Sequence, residues 1–460
     1  MDASADGPTA DWRRQLETIV RPAVGRSPVI REIAIESGAL AQAGRLHRLA
    51  HGDAPAILIA DDKSFAAAGE AVESSLSAEG IAFSHHILPG EPRPKPTLEL
   101  AEAIRQAIEA AAAQPVALGS GVVNDLVKYA AHRLDCPYWC VATAASMDGY
   151  ASAGSPLSQD GFKKTIPCTP PTAILADLDV IAAAPKEMTS WGYGDLAGKI
   201  PAGGDWIIAD ALEIEPIDAV AWPLVQHNLR GWLSDAEAVA KGEPGALALL
   251  FMGLTVTGLA MEAHGSSRPA SGADHQIAHL WEMEGLSLDG ETVSHGACVA
   301  VGAMTVLGLF DWLLQQDLSR MDIEAIVAAA SSFETKREAI ETAFPQRPIA
   351  EKATEETRAK HLDPTAHRAR LMQIAEVWPA LRQRLRAHLL TCDEMASLLT
   401  RAGAAIRAID IGVDPHHHRE TVAAARFQRS RYTVLDLLDE TGLLDRALDA
   451  LFTQPLFRAA

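Results

Sequence analysis

Short apolar runs, each leading into an alanine-rich helical stretch, fill the chain up to about Pro185 and constrain its fold more than any other feature. AILIADD (56–62) runs into AAAGEAVESSLSAEG, and PVALGSG (115–121) runs into VVNDLVKYAAHRL. VIREIAIESGAL (29–40), FSHHILPG (83–90), PYWCVATAAS (137–146) and TAILADLDVIAAA (172–184) supply further strand-length runs, with LELAEAIRQAIEAAAAQ as another helix. Strands alternating with helices predict a parallel sheet with helices on its faces. From Trp191 to Leu451 the periodicity turns helical, broken at KGEPGA, SSRPASG and FPQRPIA. A chain of 460 residues is long for one core, so the expectation is an α/β plus all-α protein. The expected boundary follows residue 187, separating an α/β half (1–187) from an all-helical half (188–460), with the active site in the cleft between them.

Charge and composition exclude several functions. A formal net charge of -20 disfavours nucleic acid and anionic membrane as partners. Five cysteines without a C-x-x-C pair fit free thiols in a reducing, cytoplasmic setting. The N-terminal segment MDASADGPTADWRRQ lacks the basic and apolar blocks of a secretory signal. The apolar run Gly245–Met261 approaches membrane-span length, but its threonines and glycines favour a buried core helix. PHHHRE (415–420) reads as a solvated helix start.

The chemistry concentrates in Ser266–Ala303, SSRPASGADHQIAHLWEMEGLSLDGETVSHGACVAVGA. His275 and His279 are four residues apart, so on a helix both imidazoles share one face. The spacing is that of H-E-x-x-H, but Gln276 holds the place of the glutamate and cannot take a proton from a metal-bound water, which argues against peptide hydrolysis. His295 stands at the head of a second apolar run, where an unpaired ring would be costly. Each ring alone reads more readily as a backbone-bonded, partly buried histidine; three converging on two apolar helices, with an upstream carboxylate for which Asp195 in SWGYGDLAGK is the candidate, would make a His/His/Asp set for a divalent cation.

In the first half, Gly119, Ser120, Gly121, Val122, Val123, Asn124 and Asp125 form a strand-to-helix turn. Its glycines relieve the backbone, and its helix start offers N–H groups to a pyrophosphate. The third glycine of the dinucleotide fingerprint is missing, so a ligand-free turn is the alternative. Asp61, ending its strand, would accept hydrogen bonds from ribose hydroxyls and repel a 2′-phosphate, favouring NAD over NADP; helix capping is the competing role for an acid at this position. Thr143, Ser146, Asp148 and Ser152 follow another strand, where a nicotinamide pocket would lie.

Taken together, GSGVVNDLVKYAAHRL, TAASMDGYASAGSPLSQDGFKKT, GYGDLAGK, SSRPASGADHQIAHLWEM, HGACVAVG and RYTVLDLLDETGLLD resemble the glycerol-1-phosphate dehydrogenases, bacterial members most, within the iron-containing alcohol dehydrogenase and dehydroquinate synthase-like superfamily. The resemblance implies that Asp195, His275 and His295 bind one metal ion, zinc or nickel, with iron as a further choice, and that Asp148, His279 and Asp195 contact substrate. It implies a Rossmann-like dinucleotide-binding domain over 1–187, with a site lined by Asp61, Gly119–Asp125, Thr143, Ala144, Ala145, Ser146 and Ser152, a helical metal- and substrate-binding domain over 188–460, and a homodimer. The implied reaction is reduction of dihydroxyacetone phosphate by NAD(P)H to sn-glycerol 1-phosphate, feeding lipid synthesis, with His279 relaying a proton near neutral pH. The phosphate calls for a cationic receptor, and Lys163, Lys164, Lys199 and Arg268 are the candidates. A glycerol or alcohol dehydrogenase acting on an unphosphorylated polyol and a dehydroquinate synthase-like cyclase would share metal and dinucleotide; a dinucleotide-binding regulator is the non-enzyme alternative. The sequence departs from the family at Val122, Val123 and Ala145, and at IPAGGDW, where Pro201 and Gly203–Gly204 interrupt a stretch that the family keeps helical.

Overall fold

A computed structural model describes residues 12–159 and 162–458. Six strands, β1 (Glu32–Glu36), β2 (Ala56–Asp61), β3 (Phe83–Leu88), β4 (Gln114–Gly119), β5 (Trp139–Ala142) and β8 (Ala173–Asp177), make one parallel sheet in the order β1-β8-β5-β4-β2-β3. The central strands are apolar along their whole length because both faces are covered: Ile57, Leu58, Ile59 and Ala60 are all buried, as are Val116, Ala117 and Leu118. Leu58, Val116, Leu118, Val141 and Leu175 join Leu40, Leu46, Val72 and Leu76 in the core beneath. Edge strand β3 alternates more and carries exposed Ser84 and His85.

Successive strands β3 and β4 lie on opposite sides of β2. The crossovers therefore diverge there and leave a crevice beyond the carboxyl ends of β2 and β4, the usual ligand position in open α/β sheets. Helices α1 (Asp62–Ala78) and α2 (Leu98–Ala111) follow β2 and β3, and α3 (Gly121–Arg133) follows β4. An antiparallel pair, β6 (Gly154–Gln159) and β7 (Phe162–Pro167), projects from the loop after β5. The glycine-, serine- and lysine-rich sequence there gave no strand signal, because the pair lies outside the main sheet and has little apolar content.

Compactness divides the chain differently from secondary-structure content. The first unit runs through Leu196, including most of α4 (Lys186–Ala197), and takes in Val220–Ser267 and Arg401–Gly403; the second comprises Ala197–Ala219, Arg268–Thr400 and the segment from Ala404 onward. A single boundary after residue 187 misses this return, which the long apolar helix between Pro244 and His264 brings about: a Cβ on its Gly258 would lie 2.9 Å from the Asp148 carbonyl oxygen, and its Phe251 ring packs 5.6 Å from Tyr150. This helix and His295–Leu313 are long and apolar enough to cross a membrane, yet 83% and 89% of their most apolar windows are buried inside the protein.

In the second unit, Lys199–Ala211 is an unbroken helix, α5, despite Pro201 and the two glycines. Pro201 is its third residue, where a backbone N–H has no intrahelical acceptor to lose. Gly204 is closely covered, with a Cβ there meeting Leu389 at 2.8 Å and Phe310 at 3.0 Å. Asp205 joins three segments: one carboxylate oxygen accepts the Ala273 N–H at 2.7 Å, and the other accepts the Val434 N–H at 2.7 Å. It thereby caps α6 (Ala273–Met283) and the short helix Val434–Glu440, which start at these residues. Burial pushes its carboxyl up to about 7, against the pull of both N–H donors and Arg268.

Candidate active site

The crevice in the first unit is built largely from backbone and small residues. Thr143 N–H donates to the Gly119 carbonyl at 3.2 Å, holding two strand exits side by side. Neither Gly119 nor Gly121 has a positive φ. Their lack of side chains serves close approach instead: a Cβ on Gly119 would meet Val123 at 2.7 Å, and one on Gly121 would meet Met147 at 2.6 Å. Helix α3 starts after Ser120 without a capping side chain, which leaves its first N–H groups to a ligand. Asp61 is the N-cap of α1, with Oδ1 accepting the Ser64 N–H at 2.8 Å, so the capping role is realised at this acid.

Other predicted dinucleotide residues are committed to the unit's own structure. Asn124 accepts from the Tyr138 hydroxyl at 3.2 Å, while Asp125 pairs at 3.3 Å with Lys128. Lys128 has no solvent exposure and donates to the carbonyls of Gly149 (2.7 Å) and Gly154 (3.0 Å), fastening the 147–154 loop to α3. Ser152 donates to Gly149, and the Ala144 carbonyl accepts from Tyr150. Ala145 is buried; Ser146 is half-buried. Lys128 was missed because a lysine within a helical run reads as solvated.

Asp195 is buried on α4, and its Oδ2 accepts the Asp148 N–H at 2.9 Å. The preceding turn explains this reach: a Cβ on Gly192 would fall 1.9 Å from the Ala145 carbonyl oxygen, so only glycine lets α4 approach the loop after β5.

The second unit gathers His275, His279 and His295. His275 and His279 are on α6, and His295 opens α7 (His295–Leu313). The ring centroids are 6.1 Å (275–279), 5.4 Å (275–295) and 5.3 Å (279–295) apart. Gly302 permits the approach of the two helices, since a Cβ there would lie 2.4 Å from the Asp274 carbonyl oxygen. His275 Nδ1 bonds Asp274 Oδ2 at 2.6 Å; Glu282 bonds both His295 Nδ1 (2.7 Å) and His279 Nδ1 (2.9 Å). Carboxylates on each Nδ1 fix the neutral rings with Nε2 bearing a lone pair, the state that metal ligands require. Although His279, Glu282 and His295 themselves offer atoms within 4.8 Å of one another, the two hydrogen bonds to Glu282 account for that grouping. Asp274 and Glu282 escaped the sequence reading, although Glu282 lies three residues beyond His279, one turn along the same face.

His279 does not switch charge near neutral pH as expected. Burial drives its pKa down to about 3 despite Glu282, with the charges of His295 and Arg429 acting in the same direction. Arg268 also departs from expectation as a phosphate receptor. It is fully buried, donates to the carbonyls of Tyr432 (3.2 Å) and Asp205 (3.1 Å), and lies 3.2 Å from Glu215, so it clamps the second unit's core. Lys199 is buried at the start of α5, and the side chains of Lys163 and Lys164 lie outside the described residues. In PHHHRE, His416 is exposed and His417 partly so, but His418 is buried against Thr305 (2.9 Å) and the Trp281 ring.

A glycerol-1-phosphate dehydrogenase [NAD(P)+] from Bacillus subtilis is 33% identical over 300 residues, covering 64% of this chain and 73% of that protein. The chain belongs to the glycerol-1-phosphate dehydrogenase family. A second member, from Geobacillus thermodenitrificans, is 27% identical over 85% of this chain and 87% of its own length. The iron-containing alcohol dehydrogenase family model matches residues 34–185. Among solved structures, a probable glycerol dehydrogenase from Sinorhizobium meliloti shares the fold, with TM-score 0.58 and 16% identity over 92% of this chain and 98% of its own. The chain thus shares its fold with this group of structures, and its family implies a nucleotide cofactor and a metal.

Proposed function

We infer that the protein is an NAD(P)-dependent dehydrogenase that interconverts dihydroxyacetone phosphate and sn-glycerol 1-phosphate. The observation that carries the reading is the cluster of three imidazoles, each with a carboxylate on Nδ1, in a chain related to enzymes of that name. Asp195, His275 and His295 would hold one divalent ion. The donor set of two neutral nitrogens and one carboxylate suits zinc, nickel or iron. When bound, the ion supplies Lewis-acid polarisation of the ketone, and the reduced nicotinamide supplies the hydride.

The chain's own groups do the positioning. Asp274 and Glu282 keep the ring tautomers fixed. His279, neutral and donating through Nδ1 to Glu282, presents an Nε2 that accepts a substrate hydroxyl, which orients the substrate rather than relaying a proton. Asp148 is held by its N–H against Asp195 at the substrate side. The dinucleotide would lie along the crevice, with its pyrophosphate at the start of α3. Asp61 has one oxygen on its cap, and the other would accept ribose hydroxyls, favouring NAD. A homodimer in a reducing cytoplasmic compartment completes the proposal, supported for the compartment by five free cysteines.

The test supplies NADH and dihydroxyacetone phosphate to protein loaded with zinc, nickel or iron, follows absorbance and determines product chirality, with mass spectrometry identifying the metal as isolated and light scattering the assembly. The sn-1 product is expected. Formation of the sn-3 enantiomer, or no turnover with all three metals, overturns the reading.

A further inference from the structure

The phosphate of the proposed substrate needs donors beside the histidine cluster, and the second unit contains unused ones. Gln276, next to His275, is only 1% exposed, and neither its Oε1 nor its Nε2 has a hydrogen-bond partner. Leaving an amide unpaired inside a protein costs about 1–3 kcal/mol, so such a group points to an absent ligand. On α6, Gln276, His279 and Met283 follow at spacings of three and four, and therefore share one side of the helix.

The segment Gln428–Arg431 passes that side. Gln428 Nε2 reaches Met283 Sδ at 3.7 Å, and its Oε1 is buried without a partner. Arg431 donates to the Ser271 carbonyl at 2.8 Å, just before α6 begins. Arg429, between them, is half-buried and makes no hydrogen bond to any described residue. Its charge acts on both His279 and Arg431, and burial lowers its own pKa against the pull of Glu356. Glu356 is itself engaged by Lys352 (2.9 Å) and the Ser430 N–H (2.7 Å). Of the arginines gathered here, Arg268 is satisfied by Glu215 and two carbonyls and Arg431 by Ser271, which leaves Arg429 as the planar donor available to an anion.

We propose that Arg429, with the Gln276 amide, receives the phosphate group of the substrate, an assignment that rests on the reaction proposed above. Arg429 is then a specificity-determining residue: it distinguishes a phosphorylated ketone from its unphosphorylated counterpart without taking part in hydride transfer.

Two arms test it on the metal-loaded full chain. In the first, Arg429→Gln should raise KM for dihydroxyacetone phosphate by about tenfold to a hundredfold, leaving kcat and the activity on dihydroxyacetone within about threefold, as expected for one charge-assisted contact. Gln276→Leu should raise the same KM by a smaller factor. In the second arm, calorimetry with inorganic phosphate should give binding to the wild type that Arg429→Gln abolishes. An unchanged KM, or equal losses on both ketones, overturns the assignment, as does phosphate binding unaffected by the substitution. If Arg429→Gln does not melt cooperatively, Arg429→Lys replaces it; with the charge kept and the planar fork lost, its KM should exceed the wild type's by less than the factor expected for Arg429→Gln, and a wild-type KM overturns the proposal. A wild type that binds phosphate through Arg429 yet turns over neither ketone would defeat the proposed reaction while leaving the phosphate receptor standing.

Discussion

The strand-exit crevice of the first unit and the histidine cluster of the second use different materials. The crevice is backbone and space: Gly119, Gly121 and Gly192 are small because Val123, Met147 and the Ala145 carbonyl stand where a Cβ would go. The cluster is side chains held by side chains, with Glu282 serving two imidazoles and Asp274 a third. A ligand that needs N–H groups and a flat surface can be held by the first kind of construction. A cation needs lone pairs at fixed positions, and a buried carboxylate is an economical way to fix them.

This contrast makes ordered predictions. His295→Ala removes a proposed ligand and should lower turnover by about a thousandfold or more, the equivalent of several kcal/mol of lost Lewis-acid assistance, with metal content falling in parallel by mass spectrometry. Retention of both metal and rate would remove the cluster from the chemistry. Glu282→Gln keeps the shape but releases two rings at once, and should cost about 10–100-fold in metal affinity, read by competition with a chelator; an effect confined within a factor of two would make Glu282 a bystander.

Glycine substitutions sharpen the comparison. Gly302→Ala sets a methyl against the Asp274 backbone and should destabilise by about 1–3 kcal/mol, seen as a lower denaturation midpoint. Gly121→Ala meets only the flexible Met147 side chain, with no backbone atom in the way, and should cost under about 1 kcal/mol, while weakening NADH binding measured by fluorescence. The reverse ranking would mean that the crevice, not the histidine helices, is the tighter fit. A pH dependence at Asp205 completes the set. Its folded pKa is raised, so its contribution to stability is fully present below about 4 and is lost as pH rises through about 7. The stability difference between wild type and Asp205→Asn should therefore shift against the wild type from pH 4 to pH 8 in urea titrations; a constant difference would show an ordinary carboxyl.

The sheet was legible because runs such as AILIAD and PVALG are apolar on both faces and end in turn residues. So was the pair His275 and His279, since their spacing sets them on one face. What was hidden depends on long-range packing. The carboxylates of Asp274 and Glu282 look like surface acids until two helices close on them, and Arg268 stands in a site motif yet points into the core. The division into units was hidden for the same reason: the helix Pro244–His264 is helical like its sequence neighbours, but its packing partners Asp148, Tyr150 and Ala151 come from the strand-exit loop far upstream. Pro201 warned of a broken helix because its effect depends on the distance from the helix start, which a local pattern does not fix.

Asp205 carries a practical lesson for anyone trimming or tagging this chain. Because a single acid side chain latches the entry to the His275 helix and the entry to a helix near residue 434, the last thirty or so residues are wired to the helix that carries His275 and His279. Deleting that tail strips one of the acid's two backbone donors, and the slackening is felt at imidazoles more than 150 positions upstream. The carboxyl terminus is thus a poor place for truncation, and a tag placed there belongs on a spacer.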